Sequence, residues 1–271
     1  MPAKNDRMPI TAHLEEFRRR LLRCIIALAV GFGLTFSYSE DILEWMLLPI
    51  RMTMGFDRTF PFFHPVYTDT AFKLSYIDLT EPFWMHMKIA FVAGIFLAMP
   101  FILTQVWLFI SPGLLPKERR YALPFVVLSS AMFVLGALFA QYFMLPFAVH
   151  FLIGYKTENL VAMVTIGKYT DFVSKFLLAT GLVFELPLVI TLLSKLGIVS
   201  PEFLAKNRKY AVLIAFVVSA LITPTSDIFN LLLMAAPILV LYEVGILMAR
   251  LVGRRKMVED DAEGGGDLTP R

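Results

Sequence analysis

Long apolar blocks, separated by short polar and basic stretches, dominate this chain. A helix needs about 20 mostly apolar residues to cross roughly 30 Å of hydrocarbon at 1.5 Å per residue. Six blocks satisfy that pattern. They predict spans at about 21–38, 89–110, 122–145, 171–194, 210–222 and 228–249. The first is broken only by Arg23 near its start, and the second carries no charge. The run from Tyr121 to Tyr155 is uncharged and too long for one straight span, so Pro146 is taken to mark where the third helix leaves the membrane. Tyr210 to Ala249 is also too long for one helix. Thr223-Pro224-Thr225-Ser226-Asp227 interrupts it with turn chemistry and predicts a helical hairpin. Its first arm is short, about 20 Å, and needs a thinned bilayer or sheltering neighbours. The fold class expected is an all-α polytopic membrane protein with six transmembrane helices and structured external loops.

The polar stretches orient the spans. Lys4, Arg7, Arg18, Arg19, Arg20 and Arg23 precede the first, and Lys117, Arg119 and Arg120 follow the second. Lys195, Lys206, Arg208 and Lys209 follow the fourth, and Arg250, Arg254, Arg255 and Lys256 follow the sixth. The opposite side holds fewer cations, spread over longer loops. The positive-inside rule therefore puts both termini in the cytoplasm, in agreement with the even span count. Met1 to Arg20 has no short apolar core and reads as no cleavable signal peptide. The external segment begins with Ile42, Leu43, Trp45, Met46 and Leu47, a pattern for a helix along the outer interface. Phe60-Pro61-Phe62-Phe63-His64-Pro65 continues it as a structured cap. The chain reads as a single membrane domain over 1–253 with a disordered cytoplasmic tail at 254–271, ending in acidic and glycine-rich sequence.

Composition adds exclusions. Of 271 residues, 58% are hydrophobic and 17% charged, against roughly a quarter charged in soluble domains. A net charge of +3 gives no case for nucleic-acid binding. The single cysteine, Cys24, rules out an intramolecular disulfide. The sequence has no GxSxG elbow, no HExxH, no glycine-rich phosphate loop and no histidines at ligand spacing. The expectation is therefore no enzyme, no catalytic residue, no metal and no cofactor.

Three places could carry function. Glu185 lies near the centre of the fourth apolar block, where a charge costs at least about 2.5 kcal/mol. It is either a functional polar contact or a protonated or paired group that holds the bundle. Pro187 should free a backbone carbonyl beside it and bend the helix. Gln105 and Gln141 fit interhelical hydrogen bonding. In His13 to Leu22, Leu14, Phe17 and Leu21 share a face, while Glu15/Arg19 and Glu16/Arg20 are i,i+4 pairs. From spacing alone this is a basic collar with local ion pairs. Glu118 stands among Lys117, Arg119 and Arg120 in a tight loop that also fits the positive-inside rule.

Together these segments resemble the TatC family, the polytopic receptor subunit of the twin-arginine protein translocase. The resemblance rests on His13-Leu14-x-Glu16-Phe17-Arg18-x-Arg20-Leu21 and on Gln105-Val106-Trp107-x-Phe109-Ile110-x-Pro112 running into Glu118-Arg119-Arg120. Phe184-Glu185-x-Pro187 and Thr223-Pro224 followed by Asp227 complete it, over about residues 10 to 253. Phe17 stands where the family usually has Leu. The resemblance implies export of folded precursors that carry an Arg-Arg signal, bound at the cytoplasmic face. Single-span TatB and TatA then join, and the proton-motive force drives transport. It implies signal-peptide binding by Glu16, Glu118, Arg18 and Phe109, an intramembrane polar contact at Glu185 with Gln105, and partner docking near Thr223 and Asp227. Membrane lipid, a homo-oligomeric receptor complex and the plasma (inner) membrane are implied as well. The rival reading is a proton-coupled secondary transporter of a small solute. An intramembrane Glu near a broken helix suits that reading, but the halves share no hydropathy repeat.

Overall fold

The computed structural model describes residues 10–56, 63–67, 74–110, 122–154, 163–223 and 227–264, and only the backbone for residues 10–13, 53–56, 63–67, 122 and 252–264. In chain order the elements are α1 (Ile10–Phe36), α2 (Ser39–Met46), α3 (Leu48–Arg51), β1 (Met52–Phe56), β2 (Phe63–Tyr67) and α4 (Glu81–Ile110). α5 (Ala122–Phe139), a π-helical turn (Ala140–Met144) and α6 (Leu145–Gly154) follow. The chain continues with α7 (Ile166–Phe184), α8 (Leu186–Lys195), α9 (Pro201–Lys206), α10 (Arg208–Ile222) and α11 (Ile228–Gly264). The fold is helical. The segment after α3 adds one antiparallel hairpin, pairing Met52 with Tyr67 and Phe56 with Phe63.

Four helical stretches are long and apolar enough to cross a membrane: 81–110, 123–154, 166–195 and 228–251. A fifth results if Leu14–Phe36 is counted together with Ser39–Arg51, which is bent from it by 83°. α10 has only 15 residues, about 22 Å of helix, short of the hydrocarbon thickness. The chain is therefore a multi-pass helical membrane protein, and its exposed Leu, Ile, Val and Phe side chains are the face such a protein turns to lipid.

Two elements depart from the sequence reading. The third helix does not stop at Pro146 but runs on to Gly154. The missing proline N–H is tolerated because the π turn immediately before it has already rerouted the i→i+4 ladder. α11 continues to Gly264, where the tail had been expected from 254. Arg254, Arg255, Lys256, Glu259, Asp260 and Asp261 have helix-compatible spacing, with opposite charges four apart at Arg255/Glu259 and Lys256/Asp260.

The chain divides into two compact units. The first holds residues 1–46, 76–131 and 165–170. In it α1 packs antiparallel on α4, with paired positions running in opposite directions along the two helices. Phe17 meets Phe109 at 5.6 Å between ring centroids. Further along, a Cβ on Gly31 would lie 2.8 Å from the Gly94 carbonyl oxygen, and one on Gly94 2.8 Å from the Phe32 nitrogen. Only glycine lets two backbones approach so closely, the small-residue contact typical of membrane helices. Thr35 Oγ1 then donates to Ala90 O at 2.7 Å, and His86 Nδ1 lies 3.1 Å from Ser39 Oγ. At the far end Glu81 accepts from the backbone of Gly167 at 2.8 Å and of Ile77 at 3.0 Å. Tyr169 donates to Met46 O at 2.9 Å.

The second unit holds residues 47–75, 132–164 and 171–271. Gly136 of α5 seats against α7, where an added Cβ would meet Thr180 O at 2.7 Å and Gly181 Cα at 2.9 Å. α8 packs on α11, and α10 on α11, the antiparallel arms of the expected hairpin. Phe151 and Phe229 stack at 4.5 Å.

Candidate functional site

At the start of α1, Arg20 Nε donates to Glu16 at 3.0 Å and Arg20 Nη2 contacts the same carboxylate oxygen. Both side chains are largely shielded, whereas the pair one residue earlier, Arg19 with Glu15 at 3.5 Å, is open to solvent. The i,i+4 spacing anticipated from sequence is thus realised twice, and only Glu16 is partly enclosed. Next to it Phe17 tilts 60° against half-buried Phe109 at the end of α4. Glu16, Arg20, Phe17 and Phe109 therefore gather at one end of the α1–α4 pair. Arg18 is exposed beside them. Glu118 lies outside the described residues, in the segment that leaves α4 after Ile110.

The same end of α4 carries two buried polar groups. Gln105 is 6% exposed and Trp107 4%. Gln105 Oε1 and Trp107 Nε1 find no hydrogen-bond partner among the described residues. Trp107 packs on Phe125 of α5 at 4.5 Å.

Glu185 belongs to the second unit and is 6% exposed. It sits at the break between α7 and α8, one residue after Phe184 and two before Pro187. Its N–H donates to Leu182 O at 3.1 Å, a tightened turn, and its carbonyl accepts from Leu188 and Val189. Pro187 has no N–H to give the carbonyl of Val183, so the ladder breaks there, as the sequence indicated. The break is packed: Gly245 of α11 approaches Pro187 so closely that a Cβ would lie 3.1 Å from Pro187 Cα. Gln141 and Asn230 are fully buried in this unit too, so its interior holds several polar side chains.

Thr223 and Asp227 cap the hairpin helices. Thr223 Oγ1 donates to Ser219 O at 2.7 Å, and its N–H donates to the same oxygen at 2.9 Å, closing α10. Asp227 accepts the Asn230 N–H at 2.7 Å and the Asn230 side-chain amide at 2.9 Å, opening α11. Residues 224–226 between them lie outside the described set.

One constellation escaped the sequence reading. Arg208, at the start of α10, makes a two-point contact with Glu243 of α11, at 2.6 and 2.8 Å. Tyr242 donates to Leu204 O at 3.0 Å beside it, tying α9 to α11. The signal was legible, since Glu243 is a lone carboxylate in an apolar block seven residues before the basic end.

These features define a class: a multi-pass helical membrane protein whose notable polar groups stand at helix ends and one helix break. Among the described residues no three His, Cys, Asp or Glu side chains gather as metal ligands. The sequence model of the family described as Sec-independent protein translocase protein (TatC) matches residues 12–237. The chain belongs to the TatC family. The TatC protein of Koribacter versatilis is 42% identical over 255 residues, covering 93% of this chain and 90% of the relative. That of Escherichia coli K12 is 36% identical, covering 94% and 93%. A crystal structure of the twin arginine translocase receptor TatC superposes with a TM-score of 0.73 at 37% identity, covering 88% of this chain and 98% of that one. The family's role is protein translocation, a transport role and not an enzymatic one.

Proposed function

We propose that this chain is the receptor subunit of a twin-arginine translocase. It binds the Arg-Arg signals of folded precursors at the cytoplasmic face of the inner membrane, through Glu16 and Glu118. Single-span TatB and TatA partners dock on it, together with further copies of the chain, for export driven by the proton-motive force. The chain spans the membrane six times, α10 being the short fifth span, with both termini in the cytoplasm.

One observation carries this reading: the Phe17–Phe109 contact, which holds Glu16 at the end of α4 from which the Glu118 segment departs. A signal's two guanidinium groups each take a carboxylate through parallel hydrogen bonds. Glu16 is already held by Arg20, so an incoming arginine exchanges with a resident one. The carboxylate thus stays oriented between cargoes. Such an exchange gives modest affinity and strong selectivity, because an unpaired basic segment meets Arg18, Arg19 and Arg20 as like charges. Lysines in place of the signal's arginines lose the planar fork and bind more weakly.

Photo-cross-linking tests the location. A photoreactive residue at Phe109 should capture a signal peptide next to its arginine pair, and one at Leu221 should not. Capture at Leu221 with none at Phe109 would contradict the reading.

A further inference from the structure

The α1–α4 pair carries a second feature that signal recognition leaves unused. A groove of about 420 Å³ runs along its surface, lined by Ile26, Ala27, Val30 and Leu34 of α1 with Leu97 and Phe101 of α4, and headed by Arg23. Its floor follows from sequence. Ala27, Gly31 and Ala98 bear little or no side chain, and the Gly31–Gly94 contact draws the backbones together so that the flanking residues stand up as walls. Those walls are exposed, Ile26 at 62% and Leu97 at 54%. Arg23 is exposed at one end and makes no ion pair among the described residues, unlike Arg19 and Arg20 just before it.

We infer that this groove binds one phospholipid with an anionic headgroup, its phosphate on Arg23 and an acyl chain along the floor. From Arg23 to Leu34 the groove runs about 16 Å at 1.5 Å per residue, close to half of a ~30 Å hydrocarbon core. It therefore serves one leaflet, the one facing the N-terminus, which is the cytoplasmic leaflet on the topology proposed above. A helix about 10 Å wide is much thicker than an acyl chain and would rest on the walls rather than lie along the floor. An anionic headgroup supplies the counter-ion that Arg23 lacks, through the bidentate geometry guanidinium makes with phosphate.

The test places a photoreactive residue at Leu97 in the full chain, reconstituted in vesicles of equal phosphatidylglycerol and phosphatidylcholine. Mass spectrometry then identifies the lipid captured. Phosphatidylglycerol should exceed phosphatidylcholine by about fivefold, and Arg23→Gln should return the ratio to that of the vesicle. Ala27→Phe, which fills the floor, should lower capture of both. Equal capture with Arg23 in place, or a preference that survives Arg23→Gln, would overturn the inference, as would displacement of the lipid by an Arg-Arg signal peptide. With phosphatidylglycerol confined to one leaflet, capture should come from the side of the N-terminus whichever compartment that side faces. The site thus stands or falls separately from the receptor reading.

Discussion

Glu185 pairs the most expensive side chain in the apolar interior with a reason for its position. It occupies the turn that Pro187 forces between α7 and α8, where the helix is already open and Gly245 of α11 presses on the break. A straight, unbroken helix would leave the carboxyl facing packed hydrocarbon. Other polar side chains, Gln141 and Asn230 among them, are buried in the same unit. Export should fall sharply in Glu185→Ala, with the protein still inserted and folded, and less in Glu185→Gln, which keeps the hydrogen-bonding shape. Export of a reporter precursor checks this, with membrane-fraction protein levels as the control. Normal rates in both variants would make the residue structural only. Its depth was legible from sequence because a lone Glu in a 20-residue apolar block stands out against any periodicity. The Arg20 partner of Glu16 was equally legible from i,i+4 spacing. Phe17 against Phe109 was not, because that contact depends on the register between two helices 92 positions apart in the chain.

At the scale of elements, apolar block length located the helices well, since insertion energetics act on whole segments rather than on single contacts. The third helix is the instructive failure. Pro146 was given its usual role as a terminator, yet the π turn at Ala140–Met144 absorbs it, and nothing in local composition announces a π turn. The β1–β2 hairpin was likewise hidden, because Pro65 and its neighbouring aromatics read as a structured cap with no strand pattern. The α10–α11 hairpin was clear from its turn chemistry, and the structure assigns Thr223 and Asp227 to capping. Asp227→Ala should therefore cost about 1 kcal/mol of helix stability, read as a lower melting temperature in detergent, while Asp227→Asn should cost less. If α10 also docks a partner, cysteines at its exposed positions, Leu213 and Val217, should cross-link to a single-span protein in a Cys24-free background. Failure at every exposed position would remove the docking role and leave the caps as purely structural.

For the whole molecule, the proposed topology rests on the charge asymmetry, which favours both termini in the cytoplasm. A label-accessible cysteine at position 57 should react from outside the cell, and one after Gly253 only once the membrane is breached. Reaction of both from the same side would refute the orientation and, with it, a cytoplasmic signal site. That site is the central claim: Glu16, set beside Phe109 by the antiparallel α1–α4 pair, is proposed to act with Glu118 of the following segment. The most direct measurement is the affinity of the purified protein for an Arg-Arg signal peptide, at low and high salt, with Glu16→Ala, Glu118→Ala and the double variant. The account predicts that each single change weakens binding several-fold, about 1 kcal/mol at a water-exposed site. The double change should nearly abolish binding, and salt dependence should fall as each carboxylate is lost. A double variant that bound the peptide with unchanged affinity and unchanged salt dependence would contradict it.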